Sequence, residues 1–331
     1  MRRPSKSTPK RSAERGLFAI AIGAAIGLLV VVPVPYYIVA PGHAVDLGTR
    51  VTVEGRAASR ARFYLTDVTV ARATLVGMLA RFLPATDVVP KETIMPAHES
   101  TDAFDRAMVV DMAQSQNVAG FVAERAAGYP VRDDFILTVA GFADGAPARG
   151  VLRENDRIVT VGGRAVRSTT DIQRAVALSP ANAAIPVAIE RDGKREAVSV
   201  APVAVAGAPK RLGIYVNLRL PAVDLPVPVR FAVDDISGAS AGLLFALQIY
   251  DELRPITNVR AIAGTGTLSP DGSVGPILGT RQKLEAARRV GATIFFVPKK
   301  NYADIASEAG GPVKIVPVTT FAQAVAYLEK G

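Results

Sequence analysis

Ser240 and Lys283 are the side chains of this sequence best placed to do covalent chemistry. Ser240 sits in a run of small residues, Ser237-Gly238-Ala239-Ser240-Ala241-Gly242, ahead of an apolar helix-like stretch. Lys283 sits in the helix-like segment Arg281-Gln282-Lys283-Leu284-Glu285-Ala286-Ala287-Arg288-Arg289-Val290. At about 100° per residue, Arg281, Gln282, Glu285, Arg288 and Arg289 gather on one side of that helix. Leu284, Ala286, Ala287 and Val290 gather on the other, with Lys283 in the middle of the apolar arc. A lysine facing a core must shed its proton or find a partner. An uncharged amine beside a serine at a helix N-terminus is the pair that a Ser–Lys hydrolase requires. Taken singly, such a serine is usually a cap or a packing site and such a lysine a surface residue. The pairing and the wheel position together point to chemistry.

Other chemistries find little support. The chain has no cysteine, so thiol catalysis, thiolate metal sites and disulfides are excluded. His43 and His98 both lie far ahead of Ser240, which excludes a Ser–His–Asp triad in the last third, and no metal site or cofactor is expected. Asp234 and Asp235 read as turn or helix-start carboxylates. No G-x-x-x-x-G-K-[ST] run occurs, so the sequence supplies no ATP-driven unfoldase.

The formal charge of +9 suggests nucleic acid until it is located. Residues 1 to 15 carry six basic side chains against Glu14, so little excess is left for the remainder and no nucleic-acid partner is expected. From Gly16 to Val45 there is no formally charged residue, and Leu17 through Val32 is almost wholly apolar. About 20 residues in a helix cross a hydrocarbon core of about 30 Å. Tyr36 and Tyr37 follow at the far end, where interfacial aromatics belong. The expectation is a basic cytoplasmic tail at 1–15 and a single-pass transmembrane anchor at 16–40. The lipid bilayer is then a partner and the later domains are extracytoplasmic. A cleaved signal peptide is the rival reading, but the apolar run is long for one.

Residues 41–128 read as a β-rich and helical connecting region without chemistry. Val51–Val53 and Arg62–Val70 have strand character, Thr74–Phe82 suits a short helix, and Glu99–Gly128 suits one or two helices. Residues 129–205 then run strand, Asp144-Gly145-Ala146-Pro147-Ala148 turn, Leu152-to-Ile158 segment, Val161-Gly162-Gly163 hairpin, a helix capped at Ser168 to Thr170, and two strands around Arg191-Asp192-Gly193. This order resembles a PDZ domain, with Asn155 standing where the family prefers a glycine at positive φ. The resemblance implies a sheet edge where a polypeptide, often a C-terminal peptide, adds as a strand, its carboxylate held in a loop just before Phe135.

From Leu212 onward strands and helices alternate: strands at Gly213–Leu218, Val227–Val233, Val259–Ile262, Thr293–Val297 and Ile315–Val318, helices at Ser240–Tyr250 and Gln282–Val290, and a last helix capped by Thr320. Residues 206–331 resemble the proteolytic domain of the Lon family. The matching residues are Gly238-Ala239-Ser240-Ala241-Gly242, Thr265-Gly266, Gly272-Ser273-Val274-Gly275-Pro276-Ile277, Lys283-Leu284-Glu285-Ala286-Ala287 and Val297-Pro298-Lys299-Lys300-Asn301. On that resemblance Ser240 is the nucleophile, Lys283 the general base and Thr265 a hydroxyl that orients the lysine. Two departures are Ala239, where proline is usual, and Leu278, where a second glycine is common.

The whole chain thus resembles the membrane-anchored PDZ–Lon proteins of bacteria. The implied fold class is α+β, with an N-terminal transmembrane helix, a β-rich segment, a PDZ-like domain and a Lon-type domain. The implied activity is an ATP-independent serine endopeptidase acting on polypeptides. A membrane-tethered peptide-binding scaffold with a retired active site is the alternative. Lon-like domains elsewhere form rings, and the sequence leaves a homo-oligomer here undecided.

Overall fold

The computed structural model describes residues 27, 29–95, 100–131, 135–180, 183–205, 208–219, 225–233, 236–256 and 260–330. They fall into two compact units, one of residues 1–40 with 69–94 and the other of residues 41–68 with 95–331. The first elements are strands β1 (Pro33–Asp46), β2 (Val51–Val53), β3 (Arg62–Thr74) and β4 (Asp87–Pro90), then helix α1 (Thr101–Ala126), whose Ser100 cap accepts from the Ala103 N–H.

In the smaller unit, Tyr36–Val39 of β1 pair antiparallel with Asp87–Pro90, and a 3-10 turn covers Gly77–Phe82. This corrects the far end of the expected anchor at 16–40. Residues 33–40 are strand rather than helix, because Pro33 and Pro35 deny a helix its amides and Tyr36, Tyr37, Ile38 and Val39 are strong strand formers. Residues 16–26 and 28 of that expected anchor lie outside the described residues. Among the described residues no helix is long and apolar enough to cross a membrane.

Within the larger unit, β5 (Ile136–Phe142), β6 (Arg157–Val161), β7 (Arg164–Ala165), α2 (Thr169–Leu178), β8 (Ile185–Arg191), β9 (Lys194–Val200), β10 (Val203–Val205), β11 (Ala208–Arg211) and β12 (Ile214–Arg219) follow in the chain. One sheet runs β12-β5-β6-β8-β9, with β7 on β6. Asn155 takes φ +70°, the left-handed conformation expected of it. Asp156 is buried beneath this turn and held by the Arg191 guanidinium at 2.7 and 2.8 Å.

Sequence reading assigned the strand at Gly213–Leu218 to the last domain, yet β12 pairs with β5 here, so the expected boundary at 205/206 divides a sheet. The edge strand beside β5 is therefore β12, which the chain enters through Arg211-Leu212-Gly213. The Val139 N–H donates to Asp156 O and its carbonyl accepts from the Asn155 N–H, so Val139 faces β6 and its neighbour Thr138 faces β12. By strand alternation Asn217 faces β5, while Val216 and Leu218 present their backbone outward. Those outward carbonyls are already bonded: Gln114 Nε2 of α1 donates to Val216 O, and Asn117 Nδ2 donates to Leu218 O at 3.4 Å.

The remaining elements are β13 (Val229–Phe231), α3 (Gly242–Leu253), β14 (Ala261–Gly264), β15 (Thr267–Leu268), β16 (Val274–Gly275), α4 (Thr280–Arg289), β17 (Ile294–Pro298), β18 (Lys314–Val318) and α5 (Phe321–Glu329). Residues Arg62–Leu65 of β3 run parallel to β14, β14 to β17, and β17 to β18, while β2 pairs antiparallel with β13. Strands 62–65 and 51–53 of the expected connecting region therefore belong to the same sheets as the last third. Phe63 and Leu65 are buried there, and burial of apolar residues supplies the reason. Every residue of α3 is buried, which matches its nearly continuous apolar sequence.

Candidate active site

Ser240 lies in a 3-10 turn, Ala239–Ala241, that runs into α3. Gly238 ahead of it has φ +92°, a conformation that side chains rarely adopt, so the turn needs glycine there. Four bonds hold the loop. The Gly238 N–H donates to Met108 O at 3.1 Å, and Ser115 Oγ donates to Ala239 O at 3.3 Å, both from α1. The Ser240 carbonyl accepts from the Gly266 N–H at 2.9 Å and from Thr265 Oγ1 at 3.1 Å. Rigidity that a proline at 239 would supply comes instead from α1, a helix that sequence reading left without a role. No local signal in α1 marks Ser115 or Met108, because their partners are more than a hundred residues away.

Lys283 enters from α4. Gly279, at φ +75°, starts that helix and accepts the Lys283 N–H at 3.0 Å. A side chain at 279 would meet Val68 Cγ1 at 2.6 Å, so glycine is required on two counts. Leu278 does not take a positive φ, so the second glycine expected at that position is unnecessary here. Asn301 holds the preceding loop from both directions: its Oδ1 accepts the Ile277 N–H at 2.9 Å and its Nδ2 donates to Ile277 O at 3.0 Å. The Thr280 hydroxyl donates to Asp304 at 3.0 Å. Gln282, placed on the polar side by the wheel, is 1% exposed, so the buried face of α4 is wider than the sequence implied.

The three expected residues meet. Lys283 Nζ lies 2.7 Å from Ser240 Oγ and 3.1 Å from Thr265 Oγ1. Lys283 is 3% exposed and Thr265 fully buried, whereas Ser240 is half-buried. Burial pushes the Lys283 ammonium down to about 8, with the Asp67 carboxylate acting in the opposite direction. Asp67 itself accepts from the His43 backbone N–H. The Thr265 proton is committed to Ser240 O, so toward Lys283 this hydroxyl can only accept. One amine N–H is thereby directed at Thr265, which leaves the lone pair of a neutral Nζ to take the Ser240 proton. His98, Asp234 and Asp235 lie outside the described residues, and among the described residues no cluster of His, Cys, Asp and Glu could hold a metal ion.

Comparison with known proteins finds relatives for two parts of the chain. Residues 109–201 match the PDZ domain family, and residues 195–327 match the Lon protease (S16) C-terminal proteolytic domain. Lon protease of Mesomycoplasma hyopneumoniae is 30% identical over 143 residues, which span 42% of this chain and 16% of that protein. Archaeal Lon protease of Archaeoglobus fulgidus is 28% identical over 120 residues, 35% of this chain and 19% of that protein. Lon protease 2 of Bacillus subtilis is 35% identical over 86 residues, 26% of this chain and 15% of that protein. The chain therefore matches less than a fifth of the length of each of these relatives. The PDZ domain of an SdrC-like protein from Listeria monocytogenes covers 24% of this chain and 85% of that structure at 20% identity, with a TM-score of 0.23. The chain carries a PDZ domain followed by a proteolytic domain of the Lon family of serine peptidases.

Proposed function

We propose that this chain is a serine endopeptidase that hydrolyses polypeptides with a Ser240–Lys283 dyad. The observation that carries the reading is the buried Lys283 amine at 2.7 Å from the Ser240 hydroxyl. With its pKa brought down to about 8, a useful fraction of the amine is uncharged near neutral pH and accepts the Ser240 proton as Oγ attacks the scissile carbonyl. The resulting ammonium then protonates the leaving amine, and water releases the acyl group. Thr265 orients the amine. Amides at the start of α3, aided by the helix dipole, are the donors for the developing oxyanion.

The PDZ domain is the element proposed to hold the polypeptide. The charge-free stretch from Gly16, preceded by six basic residues, supports a membrane anchor with the tail cytoplasmic and the domains outside. Since strand begins at Pro33, that anchor is confined to residues 16–32, about 25 Å of helix and near the lower limit for crossing.

Turnover of unfolded casein by the full chain, compared with Ser240→Ala and Lys283→Ala, tests the activity. Cleavage lost in both variants is the expected result. Equal cleavage by all three discards the dyad. No cleavage by any, with peptide binding retained, turns the reading to a scaffold.

A further inference from the structure

Among the described residues, most of the exposed large apolar side chains belong to the unit of residues 1–40 and 69–94. Phe82 is 75% exposed, Leu79 and Leu83 each 61%, and Val31 75%. A small unit that leaves side chains of this size in water presents a surface made to be covered.

Three observations say what covers it. First, the Val76 N–H donates to Leu29 O at 3.2 Å, so the segment carrying Leu79 and Phe82 is tied near the end of the apolar N-terminal run of residues 17–32. Second, from Thr74 to Thr86 the sequence has no acidic residue and a single cation, Arg81, whose guanidinium lies 5.4 Å from the centre of the Phe82 ring. A cation on a long side chain at the rim of an apolar cluster suits phosphate headgroups above acyl chains. Third, a symmetric contact with a second copy would bury Arg81 against a patch that offers it no carboxylate.

We propose that residues 75–83 form a second membrane contact, lying at the boundary of headgroups and acyl chains with Leu79 and Phe82 inserted and Arg81 among lipid phosphates. This inference rests on the membrane placement proposed above. It makes the smaller unit an interfacial foot that holds the chain at the bilayer surface.

The chain contains no tryptophan, so Phe82→Trp introduces a single fluorescent reporter at the proposed contact. The full chain carrying it is reconstituted into vesicles of phosphatidylcholine and phosphatidylglycerol, with and without brominated phosphatidylcholine. Leu79→Trp provides an independent second position, and Leu178→Trp, at an exposed position of α2, provides the control. The expected result is blue-shifted emission at positions 82 and 79 that is largely lost with brominated lipid, with position 178 unaffected. Solvent-like emission that brominated lipid leaves unchanged overturns the proposal. So does a blue shift that ignores the brominated lipid, which assigns the patch to a second copy where it depends on protein concentration and to the chain itself where it does not. Flotation of the vesicles separates the two levels: a chain that floats with position 82 in water keeps its anchor and loses only this contact, whereas a chain that fails to float loses both.

Discussion

Around Ser240 the backbone is tied down on both sides while the hydroxyl is left to a single amine. Along β12 the opposite holds, since the outward carbonyls of Val216 and Leu218 that a partner strand would use are already occupied. Helix α1 acts in both places. Its Met108 carbonyl and Ser115 hydroxyl hold the Ser240 loop, and its Gln114 and Asn117 side chains hold the Val216 and Leu218 carbonyls. The contrast teaches that the proposed catalytic pair is already within hydrogen-bonding distance, whereas a peptide strand proposed to add at β12 would first have to displace two side chains of the helix that steadies Ser240.

The sharpest way to break this contrast is to remove the reacting groups. Ser240→Ala or Lys283→Ala should lower kcat/KM on casein by at least about 10³-fold, because both act as one unit in a Ser–Lys mechanism. Binding of a labelled peptide to the PDZ domain, followed by anisotropy, should be unchanged. A peptide affinity that falls with activity would show that the two regions are not separable in this way.

A second test concerns what the buried amine costs the fold. In the folded chain Lys283 is depressed from 10.5 to about 8, so between those values the unfolded chain binds more protons and stability rises with pH. Below about pH 8 the amine is protonated in both states and the penalty is present in full. Lys283→Met should therefore stabilise the protein by up to roughly 3 kcal/mol at pH 7 in urea unfolding. The gain should shrink as pH rises from 8 and vanish above 10.5. A stabilisation that does not vary with pH would mean that it comes from packing rather than charge.

Thr265 probes orientation. Thr265→Val removes both the acceptor for Lys283 and the donor to Ser240 O, and kcat should fall by about 10- to 100-fold with little change in KM. Thr265→Ser should restore most of it. The smallest expected effect lies on the other side of the comparison. Gln114→Ala with Asn117→Ala should leave casein turnover nearly unchanged and tighten peptide binding by about 2- to 10-fold, as two carbonyls are released for strand addition. Unchanged or weaker binding would place the peptide elsewhere than on β12.

Much of the site was legible because its signals are local. The wheel position of Lys283, the small residues around Ser240, the caps at Ser168 and Thr320 and the left-handed Asn155 each follow from a few neighbouring residues. What escaped the sequence depends on partners far along the chain. The strand at 214–219 carries nothing that says which sheet it joins, and β3 reads as a plain strand until β14 pairs with it. Asn301 stood within a recognisable motif, yet its grip on Ile277 across 24 residues appears only once α4 and β17 are folded. Gln282 was misplaced because amphipathic patterning assigns polar residues outward by default, and tertiary packing overrode that default.

The account depends most on the charge state of Lys283 in the folded chain. The direct measurement is the carbon-13 shift of its Cε against pH in the full chain, assigned by loss of the signal in Lys283→Arg. A titration centred near pH 8 is the predicted result. A titration near 10.5, the value of an ordinary lysine, would contradict the proposed base.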